Sequence, residues 1–86
     1  MDIRIVILQR GWVMVGVWSK KGTVCSLTDA KVIRLWGTTK GLGELVLNGP
    51  TSKTALDETG IVEYHELTEV ANIRCEMNPW KKFFKS

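Results

Sequence analysis

The densest group of chemistry-bearing residues in this sequence lies between Trp36 and Thr54. It holds Trp36, the hydroxyls of Thr38, Thr39, Thr51, Ser52 and Thr54, the ammonium groups of Lys40 and Lys53, and the glycines Gly41 and Gly43. These are ingredients of anion recognition. Glycine lets a backbone approach a ligand closely, hydroxyls and lysines hold phosphate, and an indole face stacks on a base. Two familiar phosphate-binding patterns are absent. Gly49-Pro50-Thr51-Ser52-Lys53-Thr54 lacks the P-loop spacing of Gly, Gly, Lys and Ser/Thr. Gly41-Leu42-Gly43 lacks the third glycine and the βαβ setting of a dinucleotide fingerprint. The competing reading of the same stretch is a tight crossover with Trp36 in the core.

Other candidates point away from catalysis. His65 is the only histidine, and Glu63, His65 and Glu66 lie too close in sequence to converge on a metal. Cys25 and Cys75 have no recognisable nucleophile context. Two cysteines cannot build a disulfide framework or a four-ligand zinc site, and each sits among alternating apolar residues, as a buried free thiol does. Asp57-Glu58 reads as a solvated turn. No enzyme, metal site or cofactor is expected. Two stretches mix basic and aromatic residues, Trp18-Ser19-Lys20-Lys21 and Trp80-Lys81-Lys82-Phe83-Phe84-Lys85. Such mixtures hold single-stranded nucleic acid by stacking and phosphate attraction. The formal net charge of only +3 favours a solvated turn and a tail packed on its own domain or on a second subunit.

The elements that must position these residues are mostly strands. Ile3–Leu8 reads as one strand, and Gln9-Arg10-Gly11 breaks it. Trp12–Trp18 is apolar and rich in β-branched residues, which suits a strand buried on both faces. Gly16 within it signals a bulge or a close backbone approach. Ser19–Gly22 is a hairpin turn that returns the chain through Thr23–Leu27, with a kink at Thr28–Ala30 before the strand continues to Trp36. Leu42, Leu45 and Val46 fall at i, i+3 and i+4, so the spacing predicts a short helix near residues 40–48, ended by Asn48-Gly49-Pro50. Leu56–Gly60 reads as a turn, Ile61–Tyr64 as a strand, Glu66–Glu69 as a single tight turn, and residues 70–76 as the last strand.

The order is a strand, a long hairpin, a helical insertion, a strand, a single turn and a short final strand. It resembles small SH3-like or Sm-like barrels, so the expected fold is mainly β. Residues 1–77 form the expected single domain and 78–86 a basic-aromatic tail. A chain of 86 residues buries only roughly 60% of its unfolded surface. Homo-oligomerisation is the expected extra source of stability. The opening apolar run is too short for a secretory signal and Arg4 interrupts it, and no run approaches the ~20 apolar residues of a membrane span. A reducing cytoplasmic setting fits the two thiols.

The runs Trp36-Gly37-Thr38-Thr39-Lys40-Gly41-Leu42-Gly43-Glu44-Leu45 and Asn48-Gly49-Pro50-Thr51-Ser52-Lys53-Thr54 resemble a small protein family of phages and prophages. Gln9–Gly16 and Leu56-Asp57-x-x-Gly60 fit the same pattern, so the resemblance covers about Val6 to Ile73. That family has no established activity, and the resemblance implies a setting in the cytoplasm of a host cell. Small phage proteins without catalytic residues act by binding. Some sequester nucleotide messengers of bacterial immunity and others block a host protein. The expected function is capture of a nucleotide-derived anion by the Trp36–Thr54 segment. The alternatives are a protein-interaction module using exposed tryptophans and the basic tail, or Sm-like nucleic-acid binding.

Overall fold

The computed structural model describes residues 1–84, so Lys85 of the basic-aromatic tail lies outside the described residues. Five strands form one antiparallel sheet: β1 (Ile3–Leu8), β2 (Trp12–Lys21), β3 (Val24–Leu35), β4 (Ala55–His65) and β5 (Glu69–Arg74). Their spatial order is β4-β3-β2-β1-β5. Helix α1 (Leu42–Asn48) fills the β3–β4 connection. This is the mainly β, barrel-like fold with a short helical insertion that the strand order implies. A single 3₁₀ turn at Glu66–Thr68 joins β4 to β5.

The sheet curls because a line of irregularities crosses three adjoining strands. The β2–β3 register shifts between Val15 and Val17, at Gly16. A Cβ on Gly16 would lie 2.9 Å from the Leu27 Cβ, so only glycine permits this approach. In β3, Asp29 has φ 54°, and the register against β4 shifts between Leu27 and Ala30. Gly60 of β4, opposite Ala30, has φ 85°. Bulges of this kind bend strands and raise twist, which is how a small sheet wraps on itself.

The curl creates two apolar layers. One holds Ile3, Ile5, Val15 and Ile33 under Leu45 and Val46 of α1. The other, on the opposite face, holds Val6, Leu8, Met14, Cys25, Leu27, Ala30 and Tyr64. β1 and β2 contribute to both, because successive side chains alternate between faces. Both cysteines are buried free thiols. Burial pushes the Cys75 thiol up to about 12, which makes it a poor nucleophile.

The tail joins the first layer. Met77–Trp80 forms α2, followed by a 3₁₀ turn at Lys81–Phe83. Trp80 is completely buried and Phe84 nearly so. The Trp80 indole N–H donates to the Leu45 carbonyl at 2.7 Å, and the Glu76 N–H donates to the Val46 carbonyl at 3.0 Å. The Glu76 bond engages a carbonyl in the last turn of α1, and the Trp80 bond adds a second donor to the Leu45 carbonyl, which also accepts the Gly49 N–H at 2.9 Å. The Lys31 ammonium, buried on the same side, sits 4.3 Å from the Phe84 ring centre and 3.3 Å from the Asp29 carboxylate. The core therefore continues past residue 77.

Two boundaries differ from expectation. Leu56–Gly60 is part of β4 rather than a turn. Leu56 pairs with Ile33 and packs on the first layer, and Asp57 is held by the Arg34 guanidinium at 2.9 Å, so pairing overrides a turn-like composition. The hairpin reverses at Gly22-Thr23, beyond the expected Ser19–Gly22, because Lys21 still pairs with Val24.

A polar chain runs through the second layer and links β1, β2, β4 and β5. Arg4 holds Asp2 through two bonds of 2.9 and 2.8 Å, and its guanidinium carbon stands 3.9 Å from the Trp18 ring centre. The Trp18 indole N–H donates to the Tyr64 hydroxyl at 3.2 Å, and Tyr64 donates to Glu69 at 2.6 Å. Burial, and then its donation to Glu69, push the Tyr64 pKa above the ordinary 10.0. A raised folded-state value contributes stability that is complete below the unfolded value and lost as pH rises past it. Stability is therefore expected to fall above pH 10.0, with Tyr64 ionising as the fold opens. Tyr64 is the only tyrosine, so tyrosinate absorbance during an alkaline titration reads it directly. Ionisation that precedes any loss of structure would contradict this burial.

Candidate functional site

The segment from Trp36 to Thr54 forms a cap whose two ends are sewn together. The Thr51 hydroxyl donates to the Gly37 carbonyl at 2.7 Å, and the Thr54 hydroxyl donates to the Trp36 carbonyl at 2.6 Å. Thr54 also accepts the Thr51 N–H at 2.8 Å, and Thr51 accepts the Lys53 N–H at 3.1 Å. At the far end the Thr38 hydroxyl donates to the Gly41 carbonyl. The Glu44 carboxylate accepts the Lys40 N–H and the Thr39 hydroxyl at the start of α1.

The cap thus brings Trp36 and Gly37 against Thr51–Thr54 but spends four threonine hydroxyls on its own backbone and on Glu44. Among the described residues, Ser52, Lys40 and Lys53 keep side-chain polar groups with no bond or ion pair. Gly43 lies exposed in α1. Trp36 belongs to neither buried layer and remains 42% exposed, with its ring over Gly41. A Cβ on Gly41 would lie 3.8 Å from the Trp36 ring. The remaining chemistry is an exposed indole with two free ammonium groups.

The architecture of the cap makes Thr54 a structural residue. Thr54→Val leaves the Trp36 carbonyl and the Thr51 N–H without partners. It is expected to destabilise by about 1–2 kcal/mol, read from urea unfolding, while Thr54→Ser stays near the parent. A valine variant of unchanged stability would show that the hydroxyl does not hold the cap.

The second feature was not legible as a site in the sequence. A groove of about 310 Å³ opens on the second layer, lined by Leu8, Trp12, Met14, Val32, Thr59, Val62, Glu63 and Tyr64. Trp12 begins β2 opposite Leu8, just after the Gln9–Gly11 turn, and stands 55% exposed on the groove wall. Expecting β2 to be buried on both faces holds for Met14 and Val15 and fails for Trp12. Its only sequence signal is a tryptophan directly following a glycine turn. Glu63 is the only charged residue of the lining.

β4 borders this groove and is an edge of the sheet. Among the described residues no strand pairs with its outer side. A larger cavity of about 450 Å³ is lined in part by Asp2, Arg74 and Glu76, and Asp2 pairs with Arg74 and with the neighbouring Arg4. Its charges largely answer one another.

His65 is exposed, and its Nδ1 accepts the Leu67 N–H at 3.1 Å. It caps the β4–β5 turn. Among the described residues no group of three His, Cys, Asp or Glu side chains is placed to hold a metal. No described helix is long and apolar enough to cross a membrane. No protein-family model matches the chain, and no curated protein matches it.

Proposed function

We propose that this chain is a non-catalytic, phage-type binding protein that engages a partner protein through the groove walled by Trp12. The observation that carries the proposal is a half-exposed tryptophan beside an apolar cleft on an unpaired sheet edge. Exposed aromatic residues flanking a desolvated pocket are the usual anchors of protein interfaces. The partner belongs to the host cell, and the chain acts by occluding it.

A photo-crosslinking residue at position 12 tests this in a bacterial host. The expected result is one discrete host protein captured at position 12 and not at position 21, on the hairpin tip. Capture at neither position, or equal capture at both, would sink the proposal.

A second reading has its own support. Lys40 and Lys53 carry uncompensated charge on the same cap as the exposed Trp36. That combination suits a nucleotide-derived anion, with the base on Trp36 and phosphate on the lysines. Because Thr38, Thr39, Thr51 and Thr54 are already engaged, such a ligand relies on the lysines, Ser52 and backbone N–H groups. Mass spectrometry of small molecules released on denaturation decides this reading. A nucleotide lost in a Lys40→Ala, Lys53→Ala variant supports it, and an empty protein counts against it. Self-association fits the exposure of Leu67 and Val70, which lie outside β4.

A further inference from the structure

We infer that the free edge of β4 accepts an extended, lysine- or arginine-bearing segment of the partner as a sixth strand, with one large apolar side chain seated in the Trp12 groove. This rests on the protein-binding reading above and specifies the chemistry of the partner. Strand addition joins main-chain hydrogen bonds along an edge to side-chain pockets beside it, and this sheet offers both. β4 runs for eleven residues with one side unpaired among the described residues, and the groove opens alongside Thr59, Val62, Glu63 and Tyr64 of that strand.

Charge chooses the occupant. β4 carries Asp57, Glu58 and Glu63 and no lysine or arginine. Asp57 is neutralised by Arg34, whereas Glu58 and Glu63 are exposed and make no ion pair among the described residues. A second copy is a poor match. Its β4 would set these acids against themselves, and its β5 offers Arg74 with Glu69 on the strand and Glu66 and Glu76 just outside it. Like charges facing across an edge oppose pairing, so the acids block self-assembly there and favour a basic strand.

The test uses two synthetic peptides that alternate a charged residue with valine around one central phenylalanine, one with lysine and one with glutamate. Fluorescence anisotropy with the full chain is expected to show the lysine peptide binding at least roughly tenfold more tightly than the glutamate peptide. Trp12→Ala is expected to weaken the lysine peptide by roughly thirtyfold. The double variant Glu58→Lys, Glu63→Lys is expected to invert the preference between the peptides. All three positions are exposed, and the inversion is an informative result even if Trp12→Ala fails to fold. Equal binding of the two peptides, no binding of either, or full binding by Trp12→Ala would overturn the inference. So would sedimentation of the parent chain as a dimer that the charge reversal dissolves. Failure of both peptides alongside specific crosslinking at position 12 would leave the protein-binding reading standing and remove only the strand-addition chemistry.

Discussion

Truncating Trp80 to alanine is expected to destabilise the fold by about 3–5 kcal/mol. The side chain is fully buried, packs against Phe83 and Phe84 with ring centres 6.1 and 6.2 Å away, and belongs to the layer beneath α1. Its removal opens a cavity and takes away one donor to the Leu45 carbonyl, which keeps the Gly49 N–H. The local element is only four residues long, too short to persist without its packing. Loss of Trp80 therefore frees the whole stretch from Met77 and loosens α1 above it. A domain of this size has roughly 5–15 kcal/mol in hand, so a large fraction of its stability is at stake. Urea unfolding should show the midpoint collapse, and limited proteolysis should find new cleavage between residues 37 and 54. Trp80→Phe, which keeps most of the apolar volume, should cost clearly less. An alanine variant with parental stability would mean that the C-terminal stretch is not part of the core.

The second large effect is expected at Gly37. Its φ is 65°, and a Cβ there would lie 2.4 Å from the Lys53 carbonyl carbon and 2.6 Å from the Thr54 nitrogen. These are backbone atoms, so no side chain can swing aside. Gly37→Ala combines left-handed strain with a clash that forces the two ends of the cap apart. A loss of about 2–4 kcal/mol is expected. The hydrogen bonds from Thr51 to Gly37 and from Thr54 to Trp36 should break with it. Gly41→Ala is the control. It carries positive-φ strain at φ 78° and ψ −156°, but its nearest neighbour is the Trp36 ring at 3.8 Å, so about 1–2 kcal/mol of strain is expected with no backbone clash. Thermal unfolding of the pair separates clash from strain. Equal losses would show that the approach of Gly37 to Lys53 does not matter.

The contrast bears on how the glycine-rich segment should be read. Its glycines and threonines look like a phosphate cradle in one dimension. In three dimensions Gly37 exists to let two backbones meet, and Thr51 and Thr54 exist to bond them. What the segment still presents to solvent is the Trp36 face, Ser52 and the two lysines. Binding there, if it is the chain's function, has a narrower chemical basis than composition suggests.

Much of the architecture follows from local sequence signals. The breaks at Gln9–Gly11 and Gly22, the bulge at Gly16, the kink at Asp29 and the helix over Leu42, Leu45 and Val46 are each written in residues whose conformational preferences act over a few positions. Those breaks set β1 beside β2 and β2 beside β3, because short connections join antiparallel neighbours, whereas β3 pairs with β4 across the long α1 connection and β5 pairs with β1 although a single turn separates it from β4. Only the tertiary structure decided the rest. Leu56–Gly60 became strand because Ile33 and Arg34 stand opposite, and the basic-aromatic tail became core because Leu45 and Val46 present carbonyls and a greasy face to Trp80. Trp12 reached the groove wall because curvature at Gly16, Asp29 and Gly60 brings Val62 and Tyr64 of β4 round to face it. Periodicity reports which side of a strand a residue occupies. Whether that side meets protein or water depends on segments far away in the chain.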